Sequence, residues 1–367
     1  MVPTTDKKRD RLTFGVEFEF ALATIPLSSD PADQIADPDP KNPRPVIGLA
    51  GGNEDYTFGA LTAVEEHIAS TLSNAGMPAF SDLSDHSRGK SRSYFVVKRD
   101  PSIQCVDMSY LYYGVEVTTP PFYFSTAAVQ TVMKMCEVLT NSYRINCNRS
   151  CAIQVHVGNS QKGFSVGQLK NLMSLLWTFE PILDTLHPQH RIDNEHFVPR
   201  LREKSRLAAR KANEPEGSGV AGLTAILEST TVNEINEMLT PNRQMVTGAG
   251  RRMVYFIDNL IHDIPNKTIE FRQHESTLEP SRVANWISLC VGIVEFIDSG
   301  IPDEQLERFC RAHIKASKGE YTVLQFLKDI GLPGLSEYYG HWLGGQDSSS
   351  GKEEDDELAM YPIGPQE

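Results

Sequence analysis

Short segments in which apolar and polar residues alternate predict the β-strands of this chain. In segment 13–20 the apolar side chains face one side of the strand, while Glu17 and Glu19 face the other. Three further segments place Glu, His, Gln or Arg opposite an apolar face: 114–118, 152–158 and 268–274. A fifth segment, 94–98, is short and apolar. This pattern predicts an antiparallel or mixed sheet of about six strands with one polar face.

Apolar residues at helical spacing predict four helices. They are a helix over 57–75, one capped by Ser125, one capped by Ser165 that ends near Pro188, and one that begins at Ser281 and stops at Gly300. Their apolar stripes are expected to cover the apolar face of the sheet, which gives an α+β fold. A parallel βαβ sheet is disfavoured, because its strands would be apolar on both faces.

The distribution of Pro, Gly, Ser and charged residues predicts the domain organisation. Segments 27–53 and 81–93 are expected to be long loops, and residues 1–11 a disordered N-terminus. Residues 344–367 are rich in Gly, Ser and acidic residues and are predicted to form an acidic, disordered tail. One folded domain is therefore expected over residues 12–343 of the 367-residue chain.

Composition narrows the possible partners and the compartment. The net charge of −13 disfavours nucleic-acid binding, which requires clustered Lys and Arg. No segment approaches 18 consecutive apolar residues, and the N-terminus lacks the apolar core of a signal peptide, so neither a membrane span nor secretion is expected. The six cysteines show no C-x-x-C pair and are expected to be free thiols in the cytoplasm, although the close pair Cys147 and Cys151 leaves a zinc site open. The sequence leaves the oligomeric state undetermined.

The predicted polar face concentrates carboxylates. Glu17 and Glu19 are two residues apart on one strand, which separates them by about 6.5–7 Å. At an effective dielectric constant of about 20, two such charges repel by roughly 2–2.5 kcal/mol. Glu116 and Glu270 would add to this repulsion, so the cluster calls for cations. Oxygen ligands favour Mg²⁺ or Mn²⁺, and Mg²⁺ often joins protein carboxylates to substrate phosphates.

Simpler interpretations exist for each residue taken alone. Glu17 with Glu19 is typical of a solvated strand face. An isolated His156 is more often a structural histidine, and Glu270 with Arg272 is compatible with an ion pair of little energetic value. A functional site is favoured because all of these residues fall in phase on apolar-backed strands.

Five motifs in the same order resemble those of the amidoligase family. They are GVEFE at 15–19, YFVVKRDPS at 94–102, GVEVTTP at 114–120, QVHV at 154–157 and TIEFRQHESTL at 268–278. The family is similar to glutamine synthetase and glutamate–cysteine ligase and has the carboxylate–amine ligase fold. The resemblance extends over about residues 12–330 and implies a catalytic domain whose sheet has one polar catalytic face.

The resemblance also implies roles for individual residues. The implied metal ligands are Glu17, Glu19, Glu116 and Glu270. The implied nucleotide-binding residues are Lys98, His156, Glu270 and Arg272. The implied catalytic residues are Asp100, His156 and Arg272, with Asp100 orienting the amine. The polar loop 190–202 looks like part of the site rim, and its Arg191 and Arg200 are candidates for binding the substrate carboxylate. His274 is a third candidate for substrate binding. The implied cofactors are ATP and Mg²⁺ or Mn²⁺.

The reaction implied by the resemblance joins a small-molecule or peptide carboxylate to an amine through an acyl phosphate. Two positions depart from the family pattern. Gln154 stands where the family often has the first His of His-x-His, and Ser276 stands where it often has Gly. Three other functions therefore stay open at the sequence level: a metal-dependent amide hydrolase, a guanidine phosphotransferase, and a non-catalytic nucleotide-binding relative.

Overall fold

A computed structural model describes eleven stretches of the chain. They are residues 12–28, 34–50, 58–83, 93–104, 109–160, 162–194, 197–215, 217–242, 252–261, 267–317 and 319–347. The predicted disordered N-terminus, 1–11, and residues 348–367 of the predicted tail lie outside the described residues. Residues 344–347 belong to a helix that ends at Asp347, so the last helix continues beyond the predicted domain boundary at 343.

A single mixed sheet forms the centre of the fold. Its strands are Thr13–Leu27 (β1), Ile47–Ala50 (β2), Ala79–Ser81 (β3), Phe95–Arg99 (β4), Leu111–Thr118 (β5), Phe122–Tyr123 (β6), Ile145–Asn146 (β7), Ile153–Gly158 (β8), Tyr255–Phe256 (β9) and Thr268–Phe271 (β10). The main order is β3-β4-β5-β1-β8-β10-β9, and β2, β6 and β7 each pair with β1. The pairs β1–β2 and β3–β4 are parallel, and the others are antiparallel.

The predicted α+β class and largely antiparallel sheet are confirmed, but the predicted number of strands is wrong. Among the residues that the structure describes, the sheet has ten strands instead of about six. Most of the additional strands contain two to four residues, which is too short for alternation to reveal them. One of these, β2, lies inside the predicted loop 27–53 and pairs with the far end of β1.

Helices surround the apolar side of the sheet. Their bounds are Phe58–Asn74 (α1), Thr126–Ser142 (α2), Val166–Leu183 (α3), Gln189–Ile192 (α4), Leu201–Lys204 (α5), Arg206–Arg210 (α6), Ser218–Glu228 (α7), Val232–Leu239 (α8), Pro280–Asp298 (α9), Asp303–His313 (α10), Val323–Asp329 (α11) and Pro333–Asp347 (α12). Short 3₁₀ helices span Asp184–Leu186 and Asp258–Leu260. Within the described part of the chain, no helix is both long and apolar enough to cross a membrane.

Helix caps confirm two of the predicted helix starts and correct a third. Ser125 caps α2, and Ser165 forms a capping box with Gln168 at α3. The cap of α9 is Glu279 instead of Ser281, because the Glu279 carboxylate accepts from the Ser281 and Arg282 main-chain N–H groups. Pro280 occupies the first turn, where proline needs no hydrogen-bond acceptor for its nitrogen.

The apolar face of β1 lies in the core and fixes the direction of its acidic face. Phe14, Val16, Phe18 and Phe20 are at most 1% exposed. Helices α1 and α9 pack on the sheet, and α2 and α3 pack on α9. Because side chains alternate along a strand, the intervening Glu17 and Glu19 project from the opposite face.

A close contact between α3 and α7 gives a first prediction. Trp177 is fully buried, its Nε1 donates to the Gly219 carbonyl at 2.9 Å, and a Cβ at Gly222 would lie 2.2 Å from its ring. Gly222→Ala is therefore expected to lower the free energy of unfolding by about 1–3 kcal/mol. Denaturant unfolding measures this change. Gly334→Ala, where a Cβ meets nothing within 4 Å, is the matched control and is expected to stay within about 0.5 kcal/mol of wild type.

Candidate functional site

Strand register arranges the polar side chains of the sheet in rows. Glu116 of β5 pairs with Glu19 of β1 on one side and with Lys98 of β4 on the other. Gln154 of β8 pairs with Glu17, and one step along, His156 pairs with Glu270 of β10. Residues that are distant in sequence thus share one face across five neighbouring strands.

Glu17, His156 and Glu270 form the tightest cluster of possible metal ligands in the described part of the chain. One ligand atom from each lies within 4.8 Å of the others. His156 Nδ1 lies 3.2 Å from Thr268 Oγ1, which orients the ring. The other ring nitrogen, Nε2, is buried 3.3 Å from Glu17 Oε1 and has no hydrogen-bond partner among the described residues. Nε2 therefore faces the Glu17 carboxylate, and a cation held between the two carboxylates would take Nε2 as its third ligand.

Charge within this cluster perturbs its pKa values. Burial alone would raise the pKa of Glu17, but the nearby His156, Lys98 and Arg272 outweigh burial and lower it to about 2. Burial alone would lower the pKa of His156, but the charges of Glu17 and Glu270 outweigh it and raise that pKa. The cluster therefore stabilises positive charge at the position where the ligand atoms meet.

The other two predicted metal ligands have separate partners. Glu116 Oε1 lies 2.8 Å from Lys98 Nζ and accepts from Thr118 Oγ1 at 2.9 Å. Glu19 Oε1 accepts from Gln154 Nε2 at 2.5 Å. The structure therefore brings together two of the four predicted metal carboxylates, with His156, and places Glu19 and Glu116 beside them.

Glu19 is the most strongly perturbed of these acids. It is 8% exposed, and burial, followed by the charges of Asp100 and Glu116, raises its pKa to about 8. Burial and the charge of Glu17 also raise the pKa of Glu116. A carboxyl group that titrates near neutral pH in a cleft is suited to accept or release a proton during a reaction.

Arg272 connects the row of side chains that contains Gln154 to the row that contains Glu270. Its Nη1 donates to Gln154 Oε1 at 2.5 Å and to Glu270 Oε1. Its main-chain N–H donates to Val254, whose own N–H donates to Pro199, so the hydrogen-bonded ladder continues past β9. Gln154 thus connects Arg272 to Glu19 through the two ends of its amide.

A cleft of about 300 Å³ opens on this face. Its lining contains four acidic and four basic residues together with polar and apolar ones: Glu17, Glu19, Lys98, Asp100, Ser102, Glu116, Ser150, Ala152, Gln154, Arg191, Phe197, Val198, Arg252 and Arg272. The four acids and Lys98 come from or follow β1, β4 and β5, whereas the three arginines lie toward and beyond β10. The cleft is therefore acidic at one end and basic at the other.

A family comparison covers the part of the chain that contains this site. Residues 10–294 match a family model whose description is "Putative amidoligase enzyme". The chain belongs to this amidoligase family. The matched region contains every described strand and ends within α9, so it includes both the sheet and the cleft. A comparison with curated proteins finds no match.

In this amidoligase, the predicted site residues Lys98 and Asp100 line the cleft at its acidic end. Lys98 lies beside Glu116, and Asp100 Oδ1 accepts from the Ser102 main-chain N–H and hydroxyl at 2.8 and 2.6 Å. The close approach of Asp100 to β5 requires Gly114, because a Cβ there would lie 2.3 Å from the Asp100 carbonyl oxygen. Gly114 thus sets how closely the Asp100 turn approaches the sheet.

Arg191 is the one predicted substrate-binding residue that lines the cleft. It is 4% exposed and donates from Nε to the Gln273 carbonyl at 3.2 Å and from Nη2 to the Arg272 carbonyl at 2.7 Å. Burial lowers its pKa to about 10, so the side chain stays charged at neutral pH. Arg191 therefore presents a fixed positive charge behind Arg272.

Arg200 and His274, the other two residues predicted to bind substrate, do not line this cleft. Arg200 pairs with Asp184 at 3.1 Å and with Glu203. His274 is buried against His187 and Trp286. Strand β10 ends at Phe271, so the alternation that placed His274 on the polar face does not continue to residue 274.

The sequence interpretation did not single out Arg252 and Phe197. Arg252 is exposed and lies over the Phe256 ring at 5.2 Å, and Phe197 is 47% exposed. The main-chain hydrogen bonds that join Arg272 to Val254, and Val254 to Pro199, bring both residues to the cleft. Neither belongs to an alternating strand or a recognisable motif, so only long-range pairing places them there.

The buried position of His274 predicts a pH effect on stability. Burial, and less strongly Arg282 and Arg191, lower its pKa to about 4 despite the Glu275 carbonyl. Between pH 6.5 and 4 the unfolded chain binds a proton that the folded protein does not, so stability from this group is lost as the pH falls. At pH 5 the loss is about 2 kcal/mol relative to pH 7.5.

Comparing wild type with His274→Phe isolates this effect. The phenyl ring preserves most of the packing against Trp286, so the variant should not undergo the His274-dependent loss. Denaturant unfolding at pH 7.5 and 5 measures the free energy of unfolding of both proteins. Relative to wild type, the variant should be more stable at pH 5 than at pH 7.5. A difference that is the same at both pH values contradicts the prediction.

Proposed function

We propose that this amidoligase is an ATP- and Mg²⁺- or Mn²⁺-dependent ligase that forms an amide bond between a carboxylate and an amine. The observation that supports this function best is the Glu17–His156–Glu270 cluster beside Arg272, of which Glu17 and Arg272 line a cleft with an acidic and a basic end. A phosphate-activated ligation requires these features together: charge for the nucleotide and separate places for an acid and an amine.

The residues of the cluster fit a divalent cation. Two buried or half-buried carboxylates and a histidine nitrogen without a hydrogen-bond partner provide three ligands of the types that Mn²⁺ accepts, and the carboxylates also suit Mg²⁺. A divalent cation held there would supply positive charge to the phosphate group under attack. Thr268 would keep the His156 ring in the orientation that presents Nε2.

The basic end of the cleft suits the anionic groups. Arg272 presents a planar guanidinium that can bind two phosphate oxygens at once, and Arg191 keeps its charge despite burial. In the proposed reaction, an oxygen of the substrate carboxylate bonds to the γ-phosphorus and ADP leaves. Arg191 would hold the acid substrate while Arg272 stabilises charge on the transferred phosphoryl group.

The acidic end suits the amine. An ammonium group must lose a proton before its nitrogen can bond to the acyl carbon and release phosphate. Asp100 would orient the amine, and Glu19, whose pKa is raised to about 8, would accept the proton in its ionised form, which becomes the major form above about pH 8. Because Lys98 already neutralises Glu116, Asp100 and Glu19 are the acids that face an incoming cation.

Hydroxylamine trapping tests this function. The protein is incubated with ATP, Mg²⁺, a pool of amino acids, dicarboxylic acids and short peptides, and hydroxylamine as a general amine. A ligase that forms an acyl phosphate should release ADP and yield a hydroxamate, which ferric chloride detects. Omitting Mg²⁺ or the acid pool should abolish both signals.

The same assay separates the other functions. Cleavage of amides without ATP would identify a hydrolase. ADP release that depends on a guanidine compound and gives no hydroxamate would identify a phosphotransferase. ATP binding with no ADP release across the full pools would identify a non-catalytic relative. Each of these results contradicts the ligase proposal.

A further inference from the structure

The side chain of Arg272 lies where the metal ligands meet. Its Nη1 donates to Glu270 Oε1, and the ion pair is almost fully enclosed, with side-chain exposures of 11% for Arg272 and 2% for Glu270. Glu270 is also one of the three residues whose ligand atoms lie within 4.8 Å of one another. One carboxylate therefore serves both a guanidinium and the candidate cation site.

We infer that Arg272 is the resident counter-cation of the Glu17–His156–Glu270 site and that a divalent ion displaces its guanidinium toward the cleft. The inference rests on the proposed function in taking this cluster as a metal site. It adds that the site has an internal competitor for metal, and that metal binding releases the arginine that the reaction uses.

Electrostatics gives the reason for displacement. A divalent cation and a guanidinium on the same enclosed carboxylate would repel each other strongly, because the side chains of Arg272 and Glu270 are only 11% and 2% exposed and the effective dielectric constant around them is low. Without the metal, Arg272 neutralises Glu270 and avoids leaving a buried, unpaired carboxylate. With the metal, Glu270 has a better partner, and the guanidinium loses its main attraction to the site.

The contacts around Arg272 allow this movement. Only Nη1 is held at this position by side chains, and Nε is buried without a hydrogen-bond partner among the described residues. Arg272 already lines the cleft, whose volume of about 300 Å³ can accept the guanidinium. The second acceptor of Nη1, Gln154 Oε1, can keep its bond while Glu270 is released.

Gln154 provides an acceptor for Arg272 both before and after a metal displaces the guanidinium from Glu270. Its Nε2 donates to Glu19, so its Oε1 must face Arg272. An amide does not change its protonation in the physiological range, so this orientation is the same in both states. The departure from the family pattern at residue 154 thus provides a fixed acceptor for Arg272 in place of a metal-binding or titrating histidine.

Mn²⁺ binding without nucleotide tests the inference directly. Electron paramagnetic resonance of free Mn²⁺ gives the dissociation constant for each variant. Arg272→Gln removes the competing charge and should bind Mn²⁺ about 10-fold or more tightly than wild type. Arg272→Lys keeps a positive charge and should bind more weakly than Arg272→Gln. Arg252→Gln is the matched control, since Arg252 lines the same cleft without an ion pair to Glu270, and should remain within about 3-fold of wild type.

Chemical modification provides a second readout that does not depend on activity. Phenylglyoxal modifies accessible guanidinium groups, and peptide mass spectrometry reports each arginine separately. Mn²⁺ should increase the modification of Arg272 and leave that of Arg191, which two main-chain carbonyls hold, unchanged. Mn²⁺ that protects Arg272, or leaves its modification unchanged, overturns the inference.

The affinity series has equally clear contrary outcomes. Equal Mn²⁺ affinity in wild type and Arg272→Gln, equal tightening by Arg252→Gln, or no Mn²⁺ binding by any variant overturns the inference. If Arg272→Gln binds Mn²⁺ more tightly but the wild-type protein forms no hydroxamate, the counter-cation inference is supported and the ligase proposal is rejected. If the wild type forms hydroxamate and the two proteins bind Mn²⁺ equally, the ligase proposal is supported and the counter-cation inference is rejected. The two failures are therefore distinguishable.

Discussion

Replacing Glu270 with glutamine is expected to weaken Mn²⁺ binding by about 10²-fold or more and to lower ADP release by a similar factor. The amide preserves the size of the side chain but removes the charge that meets Glu17 and His156 in the site. It also leaves Arg272 without its ion-pair partner, so the guanidinium can leave the site without a metal. Electron paramagnetic resonance of Mn²⁺ and the ADP-release assay measure the two effects.

Glu275→Gln is the matched control for this substitution. Glu275 lies five residues further along and pairs with Arg282 at 2.5 Å, outside the residues that line the cleft. It should retain wild-type Mn²⁺ affinity and rate within about 3-fold, as expected for a partly exposed ion pair. Normal Mn²⁺ binding by Glu270→Gln would mean that the metal lies elsewhere on the polar face.

The polar face was predictable because its signal is local. Alternation in 13–20 places Glu17 and Glu19 on one side of a strand, whatever the neighbouring strands are. The same reasoning placed Glu116, His156 and Glu270 on the polar side of their strands. Buried phenylalanines on the other side of β1 fix the assignment, because a one-residue shift would expose all of them.

The grouping of the acids was not predictable, because it depends on strand register. Glu19 and Glu17 face the same way, yet Glu19 pairs with Glu116 while Glu17 pairs with Gln154. A lysine on β4 then neutralises one acid, and an arginine directly after β10 neutralises another. Nothing within any one motif indicates which cation reaches which carboxylate.

Residues beyond the ends of strands were the least predictable. His274 was placed by extending the alternation of β10, but the chain leaves the sheet after Phe271. Arg200 was placed by its position in a polar loop, and buried Asp184 draws it away from the cleft. Arg252 enters the cleft instead, through a backbone ladder that joins Arg272, Val254 and Pro199.

Arg272→Lys is expected to lower the rate of ADP release by about 10²-fold or more while the protein stays folded. Lysine keeps the charge, so Glu270 keeps a counter-cation and the metal-free protein should retain most of its stability. What lysine lacks is the planar fork that holds two phosphate oxygens at once, together with the geometry that allows Nη1 to bridge Gln154 and Glu270. The defect should therefore appear in the rate, with little change in the melting temperature.

The Lys and Gln variants of Arg272 together distinguish charge from geometry. Mn²⁺ affinity should follow charge, so that wild type and Arg272→Lys resemble each other and Arg272→Gln binds more tightly. The rate of ADP release should follow geometry, so that both variants are slow at saturating Mn²⁺. Arg252→Lys, which keeps charge at the exposed side of the cleft, should keep the rate within about 3-fold of wild type. A near-normal rate for Arg272→Lys would mean that Arg272 only balances the charge of Glu270, because an arginine that binds phosphate through its fork cannot be replaced by a point charge without loss.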